Sequence, residues 1–352
     1  MDFALFCTTT IIARYYSYRQ QYPKRAAKVI SYALLQQQNA ETSAALIDLY
    51  NRSPSFAKLA QQEGDLIRQR DAEDEAKLAV GIEFAKKKGV IDPAFVPEPY
   101  VSIDVLGKTP SDVAQIILHH VGNDHQHNVV VLVGLSGTGK GTTTTVLRQA
   151  LQDQNRTVVT WSNGNIFRAV TLLAATWNQQ QFGADAPFDA DKTLTKENLA
   201  AFMKMLSFVK RPDTHTYDTR LQGLGLDLYL SEVQNTTLKT PLVSKNIPTV
   251  AQATQGEVIL FAADAIQRMG ADGIFVLLEG RAQTVNYVRT PHRFQLELSD
   301  ATLIGKRRAA QRLMGAALAT VQSDTDTVPT QTQIQQALDA ALASMVKEIV
   351  QE

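Results

Sequence analysis

VVVLVGLSGTGKGTTTTVLRQAL, residues 129–151, decides the fold. It opens as an unbroken apolar run, mostly β-branched, of the kind a strand needs when both of its faces are covered. It then turns through glycines at 134, 137, 139 and 141 and leaves with apolar residues at helical spacing. Gly134, Gly139 and Lys140 satisfy the G-x-x-x-x-G-K pattern of a phosphate-binding loop, placed between a buried strand and a helix N-terminus. Glycines let backbone N–H groups converge on phosphate oxygens with no Cβ in the way, and the helix dipole adds positive potential. Lys140 supplies a point charge toward the outer phosphates. The expected occupant of the turn is a phosphate chain.

Outward from the loop, strand and helix patterns alternate. TVVTW (157–161) reads as a second strand, followed by a helix from about Asn165 to Trp177 and a Gln/Asp-rich irregular stretch to about Lys196. GIFVLLEG (273–280) and RFQLEL (293–298) are further strands. Upstream, a strand at Tyr100–Val105 precedes TPSDVAQIILHHVG (109–122), a capped helix. The alternation predicts an α/β fold: a parallel sheet with helices on both faces. Residues 20–90 read instead as helices, broken at Asn51–Pro54 and ending at Gly89. IDPAFVPEPY (91–100), with three prolines in ten residues, reads as an extended linker. The expected division is therefore a helical extension with its linker, 1–98, and an α/β domain, 99–352. The chain closes on TQIQQALDAALASMVKEIV (332–350), an amphipathic helix.

Composition narrows the function classes. Thirty-five Lys and Arg balance 35 Asp and Glu, so no overall field draws the protein to nucleic acid or to an anionic membrane. The single cysteine, Cys7, rules out an internal disulfide and a cysteine-based zinc site, as expected of an intracellular protein. No apolar run approaches the ~20 residues of a membrane span. Phe3–Ala40 has basic residues and no acidic ones. Two readings of it stand, a mitochondrial presequence or a basic helix docked on the protein or a partner, so a cytoplasmic or mitochondrial location stays open. Four histidines, 119, 120, 125 and 127, fall close together. Without an acidic framework beyond Asp124, they read as a helix end and a polar turn rather than a metal site.

The loop's ending, GLSGTGKGT (134–142), has Gly141 where a magnesium-binding Ser or Thr is usual, with Thr142 next. In this it resembles the nucleoside monophosphate kinases, and further segments resemble the cytidylate kinases among them. SNGNIFRAVTLLA (162–174) is similar to their strand-to-helix segment ending in aromatic-Arg. LGLDLYLSEVQNTTLKTPLVSKNIPTVA (224–251) is similar to their small antiparallel insert and following helix. VLLEGR (276–281) is similar to their third-strand segment. The resemblance covers roughly 128–320 and implies a P-loop kinase, a three-layer α/β/α fold with an acceptor-binding insert at about 178–270. It also implies ATP and Mg2+ as cofactors and a nucleoside monophosphate as substrate.

Site residues follow from motif and resemblance together. Gly134, Ser136, Gly137, Thr138, Gly139, Lys140, Gly141 and Thr142 would hold ATP. Thr142 and Glu279 would hold Mg2+. Arg168 and Arg281 would clamp the acceptor phosphate with bidentate donors. Each arginine taken singly also fits a surface ion pair. GKRRAAQR (305–312) resembles the helix entering the kinase lid, with Arg308 and Arg312 directed at the donor phosphates; a solvated basic face explains it equally.

The family pattern also breaks. No Arg-x-x-Asp series of a lid follows residue 321, and the family's Gly-Arg-Asp becomes Gly280-Arg281-Ala282. An ungapped alignment from Thr240 puts Pro248 and Glu257 where Ser and Arg would read cytosine. The expectation is a kinase with altered base reading. The alternative is a weak or inactive kinase-fold subunit with an assembly role, docking through its N-terminal helices and last helix. A P-loop switch hydrolysing ATP or GTP ranks behind both, lacking any Asn-Lys-x-Asp that would read guanine.

Overall fold

The computed structural model describes residues 29–122, 128–322 and 328–351. Cys7, most of the basic N-terminal stretch, and the turn carrying Asp124, His125 and His127 lie outside the described residues. The chain forms two compact units. One takes the described residues up to Ile67 and those from Ala301 onward; the other is Arg68–Asp300.

The first unit is helical. It contains α1 (Tyr32–Gln37), α2 (Ala40–Leu49), the beginning of α3 (Pro54–Lys87), α12 (Thr302–Gln322) and α13 (Gln331–Gln351). Leu35, Leu46, Phe56 and Leu59 share a core with Leu313 and Leu318 of α12 and Ile334, Leu338 and Leu342 of α13. This division of contacts differs from the one drawn at residue 98, because α12 and α13 bury their apolar stripes on the N-terminal helices. The apolar stripe of α13 packs within this unit through Ile334, Ala337, Leu338 and Leu342. Gly305 permits a close crossing, since a Cβ there would run into the Ala60 carbonyl.

The second unit is mixed α/β. Its elements run β1 (Val101–Asp104), α4 (Pro110–Val121), β2 (Val129–Gly134), α5 (Lys140–Asp153), β3 (Val158–Trp161) and α6 (Asn163–Phe182). Two short helices follow, α7 (Ala190–Thr193) and α8 (Lys196–Lys204), then β4 (Leu206–Lys210), β5 (Tyr217–Gly223), β6 (Leu226–Tyr229) and α9 (Leu230–Val233). The unit ends with α10 (Pro241–Ala271), β7 (Phe275–Gly280), α11 (Ala282–Val285) and β8 (Arg293–Glu297). Five strands form a parallel sheet in the order β1-β8-β2-β7-β3.

The continuous apolar run of β2 now has its cause. Val129, Val131 and Val133 face a core shared with Val170 and Leu173 of α6 and Val258 and Ile266 of α10. Val130 and Leu132 face the opposite core, with Ile117 of α4 and Leu147 of α5. Helices on both faces leave no polar side to the strand, an arrangement compatible with a three-layer α/β/α fold. The antiparallel sheet β4-β5-β6 falls inside the stretch 178–270 expected to hold an insert. Helix α4 carries the cap read from its sequence, and Asp112 completes it as a capping box: Thr109 Oγ1 accepts from the Asp112 N–H, and the Asp112 carboxylate accepts from the Thr109 N–H at 2.8 Å.

Candidate phosphate-binding site

Because the strands are parallel, the segments leaving β2, β3 and β7 emerge at one edge of the sheet. That edge is where α/β sheets bind their ligands. Gly134 ends β2 at φ 150°, and a Cβ there would lie 2.5 Å from the Leu296 carbonyl oxygen of β8. Glycine is required at that position by backbone conformation and by the neighbouring strand together. Thr138 is buried and donates its hydroxyl to the Leu135 carbonyl at 2.9 Å, bracing the turn from within. Gly139 sits at φ 87° as the N-cap of α5 and supplies no side-chain cap. The first N–H groups of α5 are therefore available to an anion.

Lys140 opens α5 and folds over the loop, its ammonium donating to the carbonyls of Gly134 at 2.6 Å and Leu135 at 3.0 Å. Burial lowers its pKa, and Arg281 pushes the same way, while Glu279 and Asp71 oppose. Lys140 thus shares a field with all three. Glu279, at the end of β7, accepts from Thr144 Oγ1 at 3.3 Å. A Cβ at Gly141 would come within 3.7 Å of the same carboxylate. Thr142, expected to hold a metal beside Glu279, is exposed on the first turn of α5, and the hydroxyl that reaches the carboxylate is that of Thr144. The helical period accounts for this: residue 144 follows 140 and 141 on one face, whereas 142 points elsewhere.

The contact at Ser136 comes from a residue that sequence reasoning passed over. Asp71, on α3, accepts the Ser136 backbone N–H at 2.7 Å and the Ser136 hydroxyl at 2.8 Å. Arg281 Nη2 donates to the same carboxylate at 2.6 Å. Arg281 also reaches Ser136 Oγ at 3.3 Å, and exposed Arg70 reaches it at 2.9 Å. The Asp71 side chain is only 3% exposed. Burial raises the Asp71 pKa, but the hydrogen bonds from Arg281 and from the backbone and hydroxyl of Ser136 outweigh it and hold the carboxyl well below its usual range.

The sequence directs Arg281 to the acceptor phosphate; in the structure it lies against the 134–142 loop, where its Nη1 makes no hydrogen bond and has Glu75 3.9 Å away. Arg168 lies at the edge following β3. It donates to Asn165 Oδ1 at 3.2 Å, and Asn165 in turn donates to Gln234 at 3.1 Å. A Cβ on Gly164 would approach Arg168 Nη1 to 3.2 Å.

The expected base-reading positions lie on α10. Pro248 is inside that helix, and Glu257 accepts from Lys88 Nζ at 2.6 Å. The neighbouring turns of α10 pack against the second part of α3. A Cβ at Gly256 would meet Ala85 Cβ at 2.6 Å, and Ile259 shares a small core with Ile82, Ala85 and Ile91. Arg308 and Arg312 belong to the helical unit, where both pair with buried Glu63. The Arg308 side chain is half exposed and the Arg312 side chain is about a third exposed, so the basic face meets both this carboxylate and solvent.

Among the described residues no group of three or more His, Cys, Asp or Glu could hold a metal ion by itself, and no helix is long and apolar enough to cross a membrane. No protein family, curated protein or solved structure matches the chain.

Proposed function

We propose that the 68–300 unit binds ATP with Mg2+ at the 134–142 loop and transfers the γ-phosphate to a nucleoside monophosphate. The observation that carries this reading is the gathering of Lys140, Glu279, Thr144 and Arg281 at one glycine-rich loop on the carboxyl edge of a parallel sheet. Mg2+ in such sites is held by one or two carboxylates or hydroxyls plus phosphate and water, and Glu279 with Thr144 is a donor set of that kind. Bound there, the ion would neutralise charge on the transferring phosphoryl group. The loop's N–H groups and Lys140 would position the donor phosphates. Arg168, across the edge, would hold the acceptor phosphate, whose oxygen attacks the γ-phosphorus as the bond to ADP breaks. Positioning and electrostatic stabilisation are most of what this reaction asks of a protein.

Base reading is altered on this account. Glu257 is engaged with Lys88, and Ala282 offers no carboxylate to the base. Without a buried polar partner for the base, discrimination is weak. The same Lys88–Glu257 pair, together with the Asp71 contact, favours a second reading, a nucleotide-binding subunit without turnover. Diphosphate formation from Mg·ATP with CMP, dCMP, UMP, AMP and GMP separates the two. Activity spread over several acceptors supports the kinase, and ATP binding with no product from any of them supports the subunit.

A further inference from the structure

We propose that Asp71 is a built-in occupant of the phosphate-binding loop, competing with a nucleotide's phosphates for Ser136 and Arg281, so that residues 68–88 regulate access to the site. The inference rests on the phosphate-binding reading of the loop given above.

Three observations carry it. The first is the chemistry of the contact. In loops of this kind the backbone N–H groups are anion donors, and the Ser136 N–H is directed at a carboxylate 2.7 Å away. A carboxylate is the side chain whose oxygens best stand in for those of a phosphate, and Arg281 binds either one. Asp71 takes the N–H, a hydroxyl and a guanidinium at once while 3% exposed. It is held as a bound anion is held.

The second observation is that Arg281 is only half used. Nη2 bonds Asp71, whereas buried Nη1 makes no hydrogen bond. The Glu75 carboxylate is 3.9 Å from it, too far for a hydrogen bond, and a buried donor left without one is costly. A phosphate, with three terminal oxygens, can satisfy both arms of the fork where Asp71 satisfies one.

The third is that the same stretch covers the other expected substrate surface. At 3.6 residues per turn, Asp71, Ile82 and Ala85 fall within about 60° of one another around α3. Ile82 and Ala85 pack on α10 beside Gly256 and Ile259, and Lys88 takes Glu257. One segment therefore engages both the loop proposed for the donor and the helix proposed to read the acceptor. A ligand that binds only the released form has its apparent affinity reduced by the fraction of molecules in which Asp71 is displaced.

The test is calorimetric titration of the full chain and of Asp71→Asn with two probes, Mg·ATP and magnesium tripolyphosphate, the second carrying no nucleoside. Asparagine keeps the shape of aspartate and removes its charge; if that variant fails to fold, Asp71→Ser takes its place. Both probes are expected to bind the variant at least about tenfold more tightly than the unmodified chain. ATP affinity unchanged or weakened in the folded variant would overturn the occupant while leaving a nucleotide site in place. Tripolyphosphate that tightens while ATP binds neither protein would uphold the occupant and sink the nucleotide reading. No binding of either probe to either protein would overturn both.

Discussion

Replacing Arg281 with glutamine should destabilise the 68–300 unit by about 2 kcal/mol. The pair it breaks joins a side chain 18% exposed to one 3% exposed, at 2.6 Å. Removing one member of a buried pair typically costs about 3–5 kcal/mol, because the other charge is left without its partner. Asp71 keeps the N–H and hydroxyl of Ser136 and the exposed Arg70 guanidinium at 3.4 Å, which reduces that penalty by roughly half, given ~1.5–3 kcal/mol for a hydrogen bond to a charged group. Urea unfolding followed by tryptophan fluorescence isolates the relevant transition, since Trp161 and Trp177 are the only tryptophans and both lie in this unit. Combining Arg281→Gln with Asp71→Asn should cost less than the sum of the single changes, with a coupling of about 1–3 kcal/mol. Additivity to within about 0.5 kcal/mol, or a gain in stability from Arg281→Gln alone, would refute the claim that the two side chains depend on each other.

Lys140→Ala should leave the urea transition nearly in place and weaken Mg·ATP binding by a few kcal/mol, of the order found when one phosphate-stabilising group is removed; isothermal titration checks this, and unchanged affinity would dissociate the loop from nucleotide. The Asp71 carboxyl has a lowered pKa in the folded chain and its ordinary value, ~3.9, when unfolded. Its stabilisation is therefore present above about pH 4 and is lost as pH falls through the lower folded value. An acid titration of fluorescence should show a shallower decline for Asp71→Asn than for the unmodified chain. Gly256→Val places a Cβ 2.6 Å from Ala85 Cβ and 2.9 Å from Val90 Cγ1, and should cost about 1–3 kcal/mol by overpacking; a neutral urea midpoint would show that α3 is free to leave α10.

The sheet was legible because its causes are local. An apolar run with no polar alternation states that both faces are covered, and β2 is covered by α6 and α10 on one side and α4 and α5 on the other. The loop was legible from the spacing of Gly134, Gly139 and Lys140 between strand and helix patterns, and both glycines have positive φ. The placement of the last two helices was not. An amphipathic stripe says that a helix is buried on one side and is silent about what buries it. For α12 and α13 the answer lies hundreds of residues away, as in the bond from Tyr50 to Asp339, 289 positions apart.

Asp71 was hidden by a different cause. It stands in RQRDAEDEAK (68–77), where alternating charges read as a solvated helix face, and nothing local distinguishes it from Asp74 or Glu75. What sets it apart is three-dimensional: its partners are 65 positions away at Ser136 and 210 away at Arg281. Charge on a helix surface is inexpensive in water, so sequence places no constraint on which carboxylate turns inward. Once turned inward, however, a carboxylate is tolerated only where donors already converge. The glycine-rich loop is such a place, because the Ser136 N–H and the Arg281 guanidinium converge there. On the proposed reading, the loop's attraction for phosphate and its capture of Asp71 have one physical origin, and any substitution that strengthens its hold on the one strengthens its hold on the other. On that reading, selectivity between them can come only from what phosphate offers and aspartate lacks: a third oxygen, for the Arg281 Nη1 that makes no hydrogen bond, and an accompanying metal ion, for Glu279.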